Sequence, residues 1–238
     1  FTHNKHKMIT FQNLKLIGTS HISIESVNTI KKEIETSKPD IICIELDKNR
    51  FLAMMQKKKK KGPSIRDIKR IGFKGFLFLI IGGYVEKKLG KKVGLEPGAE
   101  MKEAIKLAKK HNIALALVDQ PIEITLKNFS KTFSHREKWN LFKDIFKAIF
   151  MRKREMKRLG MKGFDLRKVP EKELIEKLMI EVKQKYPNFY KVLIDDRNKI
   201  MARKIATLMK KYPEKKILAI VGAGHEKEMT DLIKNKFK

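Results

Sequence analysis

A short apolar run, Ile41–Ile44, places the strongest restriction on what this chain can fold into. A strand that is apolar at every position is buried on both faces, which is typical of a parallel sheet covered by helices. The run follows a helical pattern that begins after Ser23 and ends at Pro39, and the strand signal Leu14–Ile17 precedes that helix. Strand, helix and strand with short connections predict a right-handed βαβ unit and an α/β fold.

Two further apolar runs continue this pattern. Ile113–Val118 predicts a third buried strand and Ile217–Val221 predicts the last one. Two stretches interrupt the alternation, at about 55–95 and about 131–186, and both are predicted to be helical insertions. We therefore expect one domain over residues 14–238 with a mostly parallel central sheet. Residues 1–13 are interpreted as an N-terminal extension or a vector-derived remnant.

The chain has a large excess of positive charge. Its 56 Lys and Arg residues outnumber its 27 Asp and Glu residues, and the formal net charge is +29 at pH 7. Such charge attracts anionic membrane surfaces or nucleic acid. We expect no nucleic-acid partner, because no recognised binding module and no arginine-rich recognition helix is present. The alternative explanation is the Lys-rich and Ile-rich composition typical of heat-adapted proteins.

One segment combines this charge with apolar residues. Five consecutive lysines, Lys57–Lys61, precede the apolar run Gly75–Val85. The run is shorter than the roughly 20 residues that a transmembrane helix requires, so none is predicted. No signal peptide is predicted either, because Phe1–His6 has no apolar core. We interpret the segment as a solvated linker and a buried helix, and the alternative is a surface element that contacts lipid head groups or covers a site.

The single cysteine, Cys43, excludes a disulfide framework and a cysteine-built metal site. It lies within the apolar run of a predicted strand. We therefore interpret Cys43 as a small core residue and not as a nucleophile. Candidate chemistry has to come from other side chains.

Histidines and carboxylates follow the predicted strands at the points where the strands end. These residues are Gly18-Thr19-Ser20-His21, Glu45, Asp119 and Gly222-Ala223-Gly224-His225. The carboxyl ends of parallel strands lie at one edge of a sheet, and ligands bind there in open α/β sheets. Both histidines follow a strand through a Gly-x-x-His corner that leads into a helix. The sequence therefore predicts a functional site formed by His21, Glu45 and His225.

Two imidazoles and a carboxylate support two kinds of chemistry. They suit a divalent transition metal such as Mn, Co or Zn that keeps a position open for water and lowers the pKa of that water. Without a metal, the same groups act directly on water, with a carboxylate as general base. Glu45 fits the role of ligand and the role of base, and both stay open.

Arg197 is a further candidate. In a helix it lies four residues after Leu193 and three before Ile200, so it shares their apolar face. An arginine in such a place requires a partner. It either acts in the site, by pairing with a carboxylate or stabilising an oxyanion, or forms a structural buried ion pair.

Taken together, these motifs resemble the TraB/PrgY family. The residues that carry the resemblance are Gly18–Ser23, Ser26-Val27, Pro39-Asp40, Ile44–Asp47, Arg50, Pro97–Met101, Ala104, Ala108, Thr125–Lys127, Asp196-Arg197, Met201 and Val221–His225. They cover nearly the whole chain from Leu14 onward. The family is related to the Tiki metalloproteases and, more distantly, to erythromycin esterases and the haem-uptake protein ChaN.

The resemblance implies a site and an activity. It implies that His21, His225 and Glu45 bind the metal, that Glu45 and Arg197 are catalytic, and that Glu100 is a weaker catalytic candidate. The implied activity is that of a metal-dependent hydrolase, a peptidase with a peptide substrate. Because family members typically have transmembrane helices after this domain, we expect a membrane-associated protein on the cytoplasmic side, facing anionic lipid.

Two alternatives remain open at this stage. The first is a non-catalytic protein that sequesters a signalling peptide or small ligand at the membrane. The second concerns assembly, because the apolar stripes of the predicted helical insertion suit either a homodimer or packing within one chain.

Overall fold

The computed structural model describes residues 8–20, 23–56, 64–94, 96, 98–150 and 172–237. His21, which was predicted as a site residue, lies outside these ranges, as does the lysine run Lys57–Lys61. Among the described residues, no helix combines the length and the hydropathy needed to cross a bilayer.

The described part of the chain contains one sheet of five strands in the order β1-β2-β5-β3-β4. The strands are β1 (Ile9–Phe11), β2 (Leu14–Thr19), β3 (Ile41–Ile44), β4 (Ala114–Leu117) and β5 (Ile217–Gly222). β1 pairs with β2 in the antiparallel direction, and all other neighbours are parallel. The mostly parallel sheet predicted from the sequence is therefore confirmed.

The last strand lies in the middle of the sheet. β5 pairs with β2 on one side and with β3 on the other, so every residue of this strand is buried. Its side chains alternate between two cores: Ala219 and Val221 belong to one, and Leu218 and Ile220 to the other. Burial on both faces explains the near-continuous apolar runs of β3 and β5. The prediction of a third buried strand over Ile113–Val118 is correct for the strand but wrong for its burial, because β4 lies at the edge of the sheet and its residues are exposed or half-buried.

Helices cover both faces of the sheet. On one face lie α1 (Ile24–Ser37) and α4 (Ala99–Lys110), which pack against each other and against the core that contains Ile44. On the other lie α9 (Asp196–Lys211) and α10 (Glu226–Lys234). α2 (Lys48–Met55) begins where β3 ends, capped by Asp47.

The remaining helices are α3 (Ile65–Val93), α5 (Ile122–Thr132), α6 (His135–Phe150), α7 (Lys172–Lys185) and α8 (Pro187–Tyr190), followed by a π-helical turn, Lys191–Asp195. The sequence suggested a helical stretch that starts at about residue 131. The structure places a helix boundary there, because α5 ends at Thr132 and Glu137 caps the start of α6 through Ser134.

The predicted apolar helix is α3, and only one of its faces is buried. It packs on α5, where the rings of Phe78 and Phe129 lie 4.9 Å apart. On the opposite face Phe73, Leu77 and Tyr84 are exposed. The buried face agrees with a helix that packs within the chain, and contact of the exposed face with lipid head groups stays a prediction.

Candidate active site

The polar site lies at the carboxyl ends of three adjacent parallel strands, β5, β3 and β4. Glu45 follows β3, Asp119 follows β4 by two residues, and His225 follows β5 by three. All three side chains are buried. Register brings them together, because Ile44 of β3 is paired with Leu117 of β4 and with Ile220 of β5. Three strand ends that are far apart in sequence therefore meet at one point.

Glu45 is held on both carboxylate oxygens. Its Oε2 accepts a hydrogen bond of 2.6 Å from the backbone N–H of Gly222, the last residue of β5. Its Oε1 accepts a hydrogen bond from Arg197 Nη2 and lies 3.4 Å from His225 Nε2. This carboxylate therefore has a fixed orientation, with one oxygen directed at the imidazole and the guanidinium.

The guanidinium of Arg197 uses all five of its N–H groups. Nε and Nη2 donate to the two carboxylate oxygens of Asp119, at 3.1 and 2.7 Å, and Nη2 also donates to Glu45. Nη1 donates to the backbone carbonyl of Leu193 at 3.1 Å and lies 3.3 Å from His225 Nε2. Arg197 thus lies at the centre of the site, where it contacts Glu45, Asp119 and His225.

Charge compensation explains how an arginine is tolerated at this depth. Burial alone would lower the pKa of Arg197, but the carboxylates of Glu45 and Asp119 raise it above its usual value. The guanidinium therefore stays charged. Pairing with site carboxylates is one of the roles that the sequence suggested for this residue.

The π-helical turn before α9 supplies one of the acceptors. π-Turns inside helices occur frequently at functional sites. Here the turn Lys191–Asp195 contains the carbonyl of Leu193 that accepts from Arg197. Asn198, the residue after Arg197, contacts the other side of the His225 imidazole, since Asn198 Oδ1 lies 2.6 Å from His225 Nδ1. Two consecutive residues of one helix therefore address both ring nitrogens.

Two further cations contact Asp119. Arg50 Nη1 donates to Asp119 Oδ2 at 3.3 Å, and Lys204 Nζ donates to the Asp119 backbone carbonyl at 2.7 Å. Burial lowers the pKa of Lys204, and the nearby Asp119 charge opposes that shift. Three cations, Arg197, Arg50 and Lys204, therefore contact Asp119.

The structure brings together Glu45, His225 and Arg197 of the predicted site residues. Glu100 is buried in the first turn of α4. The Gly-x-x-His corner that follows β2 ends at His21, outside the described residues. The pairing of the two corners therefore stays a prediction.

Sequence reasoning missed Asn198 and Glu228 as site residues. Asn198 has a recognisable signal, because it lies three and four residues before the buried Met201 and Ala202 of α9 and is itself a polar residue on an apolar face. Glu228 has no such signal. Its contact with the site is a hydrogen bond from Asn198 Nδ2, at 3.1 Å, between two helices.

A metal ion would need Glu45 and His225 together with His21. Among the described side chains, no group of three or more His, Cys, Asp or Glu residues is placed to hold one. Arg197 also directs N–H groups at Glu45 Oε1 and His225 Nε2. In this arrangement the two ligand atoms face a guanidinium, so they do not fit a cation until Arg197 shifts.

These features define an α/β protein with helices on both faces of a mostly parallel sheet and a buried site of a carboxylate, an imidazole and a guanidinium at its carboxyl edge. A model of the TraB/PrgY/gumN family matches residues 7–235, and the chain belongs to this family. The family resemblance inferred from the motifs is confirmed.

Relatives are found in archaea and mammals. An uncharacterized protein of Methanocaldococcus jannaschii is 32% identical over 213 residues, which cover 90% of this chain and 51% of that protein. A TraB domain-containing protein of Mus musculus is 24% identical over 237 residues, covering 88% of this chain and 60% of its own length. The human TraB domain-containing protein is 22% identical, with the same coverage. The chain thus spans about half to three-fifths of the length of these relatives.

Proposed function

We propose that this chain is a hydrolase whose reaction takes place at Glu45, His225 and Arg197. The observation that carries the proposal is the distance of 3.4 Å between Glu45 Oε1 and His225 Nε2, with Arg197 directed at both atoms. A buried carboxylate next to a buried imidazole is costly for stability, and such arrangements concentrate at functional sites. Their position at the carboxyl edge of a parallel sheet supports the same conclusion.

The chemistry follows from these contacts. A water molecule that takes the place of Arg197 Nη1 at the lone pair of His225 Nε2 loses a proton to that nitrogen as it attacks a carbonyl carbon, and the Glu45 carboxylate stabilises the imidazolium that forms. Once protonated, Nε2 no longer accepts from Arg197 Nη1. That N–H then becomes available to the oxygen on which negative charge develops. When the tetrahedral intermediate collapses, the bond between the carbonyl carbon and the leaving peptide nitrogen breaks, and His225 Nε2 gives its proton to that nitrogen. Arg197 thereby serves first to orient the base and then to stabilise the oxyanion.

A divalent ion, Mn, Co or Zn, remains part of the proposal through the family resemblance. His21, His225 and Glu45 would hold it only after Arg197 had moved away from Glu45 Oε1 and His225 Nε2, and it would then supply a water of lowered pKa. Glu45 would then be a ligand, and the base would be a carboxylate outside the metal sphere, for which Glu100 is the candidate from the sequence.

A peptide is the proposed substrate, and a protein that only sequesters a peptide or small ligand is the alternative. The test is incubation of the purified protein with a peptide library, with and without Mn, Co or Zn, followed by mass spectrometry. The proposal expects cleavage by the wild type and a loss of at least 100-fold in Glu45→Gln. The matched control is Glu33→Gln, which removes another buried carboxylate, paired with Lys15, and keeps activity.

The outcomes separate the alternatives. Saturable peptide binding without cleavage under every metal condition would overturn the hydrolase and support sequestration. Cleavage that survives a chelator would assign the reaction to the protein groups alone. Calorimetric titration of the wild type and of Glu45→Gln with each metal would establish whether an ion binds at Glu45.

The proposal also places the chain on an anionic membrane surface, through the exposed face of α3. The apolar residues of that face recur at helical spacing and are Phe73, Leu77, Ile80, Ile81 and Tyr84. Exposed basic residues flank them at both ends, Lys69 and Arg70 before and Lys87 and Lys88 after. An apolar stripe between basic ends suits a helix that lies in a membrane interface. The cytoplasmic leaflet supplies the anionic lipid.

Vesicle flotation tests this surface. The wild type should float with vesicles that contain phosphatidylserine, and Leu77→Asp with Ile81→Asp should abolish this. Leu52→Asp, at an exposed leucine of α2, is the matched control. Equal binding to neutral vesicles, or a concentration-dependent dimer that the α3 substitutions dissociate, would overturn the membrane proposal.

A further inference from the structure

The hydrogen bonds around Asn198 determine which ring nitrogen of neutral His225 carries the proton. Asn198 is completely buried, and its Nδ2 lies 3.1 Å from Glu228 Oε2. A carboxylate only accepts hydrogen bonds, so the amide group of Asn198 has to donate in that direction. Its carbonyl oxygen therefore points the other way, at His225 Nδ1, 2.6 Å away. Because that oxygen only accepts, Nδ1 must hold the proton.

The contacts of His225 Nε2 also favour a proton on Nδ1. Arg197 Nη1 lies 3.3 Å from His225 Nε2, and a guanidinium has no acceptor. In the neutral ring with its proton on Nδ1, Nε2 has a lone pair for this donor. An N–H at Nε2 would face Arg197 Nη1 and would have Glu45 Oε1, 3.4 Å away, as its acceptor; because Nδ1 already holds a proton, that form is the imidazolium. With the proton on Nδ1, the lone pair of Nε2 accepts from Arg197 and faces Glu45. The two sides of the ring are thus consistent with one tautomer.

Glu228 is itself held in place by side chains of α7 and α8. Its Oε1 accepts from the hydroxyl of Tyr190 in α8 at 2.7 Å and from Lys183 Nζ in α7 at 3.3 Å. Burial and the Glu228 carboxylate raise the pKa of Tyr190, which keeps its hydroxyl protonated as a donor. The chain of contacts therefore runs from the insertion through Glu228 and Asn198 to the imidazole.

We propose that Asn198 and Glu228 are positioning residues that hold His225 in its Nδ1–H tautomer and present the Nε2 lone pair to Glu45 and Arg197. The catalytic meaning of this arrangement rests on the proposed hydrolase function, whereas the tautomer itself does not. Outer hydrogen-bond partners commonly fix the tautomer of a reactive or metal-binding histidine in this way. Lys183 of the insertion and Tyr190 of α8, which follows the insertion, are by this inference parts of the site.

The tautomer is measured directly by nuclear magnetic resonance of the protein labelled with ¹⁵N in its histidine rings. Spectra are recorded at a pH where the imidazoles are neutral, and the His225→Gln variant assigns the resonances. The expected result for the wild type is a single state with a protonated Nδ1 and an unprotonated Nε2. No substrate and no metal are required.

Two substitutions test the positioning role. In Glu228→Gln the new amide both donates and accepts, so it no longer selects one orientation of Asn198. The Nδ1–H tautomer of His225 is then favoured by Arg197 Nη1 alone, and the Nε2–H tautomer should become detectable. Asn198→Leu removes the acceptor and should have the same effect. Glu176→Gln, which removes an exposed ion pair between α7 and Lys227, is the matched control and should leave the tautomer unchanged. Circular dichroism verifies that each variant is folded.

The results discriminate between this inference and the proposed function. A wild-type proton on Nε2, or folded Glu228→Gln that retains the pure Nδ1–H state, would overturn the inference. If the tautomer is as stated but no peptide is cleaved, the hydrolase proposal fails and the positioning role stands. If peptides are cleaved with the other tautomer present, the reverse holds.

Discussion

Arg197 and Asp119 form a two-point ion pair in the interior of the protein, with Nε–Oδ1 at 3.1 Å and Nη2–Oδ2 at 2.7 Å. The same guanidinium also bonds Glu45. One cation thus compensates two buried carboxylates that come from different strands. Because a buried charge without a partner is expensive, the pair binds the carboxyl edge of the sheet to helix α9.

The first prediction concerns this compensation. Arg197→Met leaves Glu45 and Asp119 buried without their guanidinium, and the free energy of unfolding should fall by about 3–5 kcal/mol. Urea denaturation measures the loss. Arg203→Met, at an exposed arginine of the same helix, is the control and should change stability by no more than about 0.5 kcal/mol. Equal stability of the two variants would contradict the central role of Arg197.

A second prediction concerns Gly72, the residue at which the backbone of α3 departs from helical geometry. Gly72 has φ of 75°, and a Cβ there would lie 2.2 Å from Ser130 Oγ of α5. Gly72→Ala should therefore destabilise the protein, by about 1–3 kcal/mol for the backbone alone. The same substitution at Gly83, where a Cβ meets no atom within 4 Å, should stabilise α3 by up to about 1 kcal/mol. Thermal unfolding compares the two, and a similar sign for both would be inconsistent with this account.

A third prediction concerns pH. The buried carboxylate of Glu137 accepts hydrogen bonds from Ser134, from the backbone and side chain of Asn188, and from the backbone N–H of Phe189. Burial by itself would raise the pKa of Glu137, but these hydrogen bonds hold it below its usual range. A group with a lowered folded pKa contributes stability that is complete above the unfolded value and is lost as pH falls through the folded value.

The free energy of unfolding should consequently decrease from about pH 5 to about pH 3, and Glu137→Gln should reduce the part of this decrease that Glu137 contributes. The variant should also be less stable by about 1–3 kcal/mol at neutral pH, because its amide disrupts the acceptor set. Urea denaturation over this pH range gives both quantities. Glu35→Gln, at an exposed position of α1, should retain the wild-type pH dependence.

The fourth prediction concerns the single thiol. Burial raises the pKa of Cys43 to about 12, so the thiolate is scarcely populated in the folded protein. A disulfide reagent at pH 8 should therefore leave the native protein unlabelled and should label it on unfolding in urea. Lys48→Cys adds an exposed thiol as an internal control. Fast native labelling of Cys43 itself would show that β3 opens readily.

The sequence predicted the sheet because burial on both faces leaves a direct record in composition. Ile41–Ile44 and Ile217–Val221 read as near-continuous apolar runs, and both are central strands. It also predicted that Glu45 and His225, which follow two of those strands, would lie close together, and Glu45 Oε1 is 3.4 Å from His225 Nε2. The interpretation of Cys43 as a core residue is confirmed by its complete burial.

The helical insertions were predicted less precisely. The exposed stripe of α3 and the buried face around Phe78 have the same apolar composition, so periodicity alone does not distinguish a face that packs on α5 from one that meets solvent. The π-turn before α9 also has no sequence signature, because the extra residue per turn is a matter of backbone geometry.

By itself, the sequence determined the α/β class, the strand ends that bear reactive groups and the family. Those properties depend on local pattern and on the order of motifs along the chain. The tertiary structure decided which groups touch: that β5 lies between β2 and β3, that Arg197 joins Glu45 to Asp119, and that Asn198 and Glu228 reach His225. The physical reason is that these contacts join residues up to 152 positions apart, and their geometry exists only once strand register and helix packing are in place.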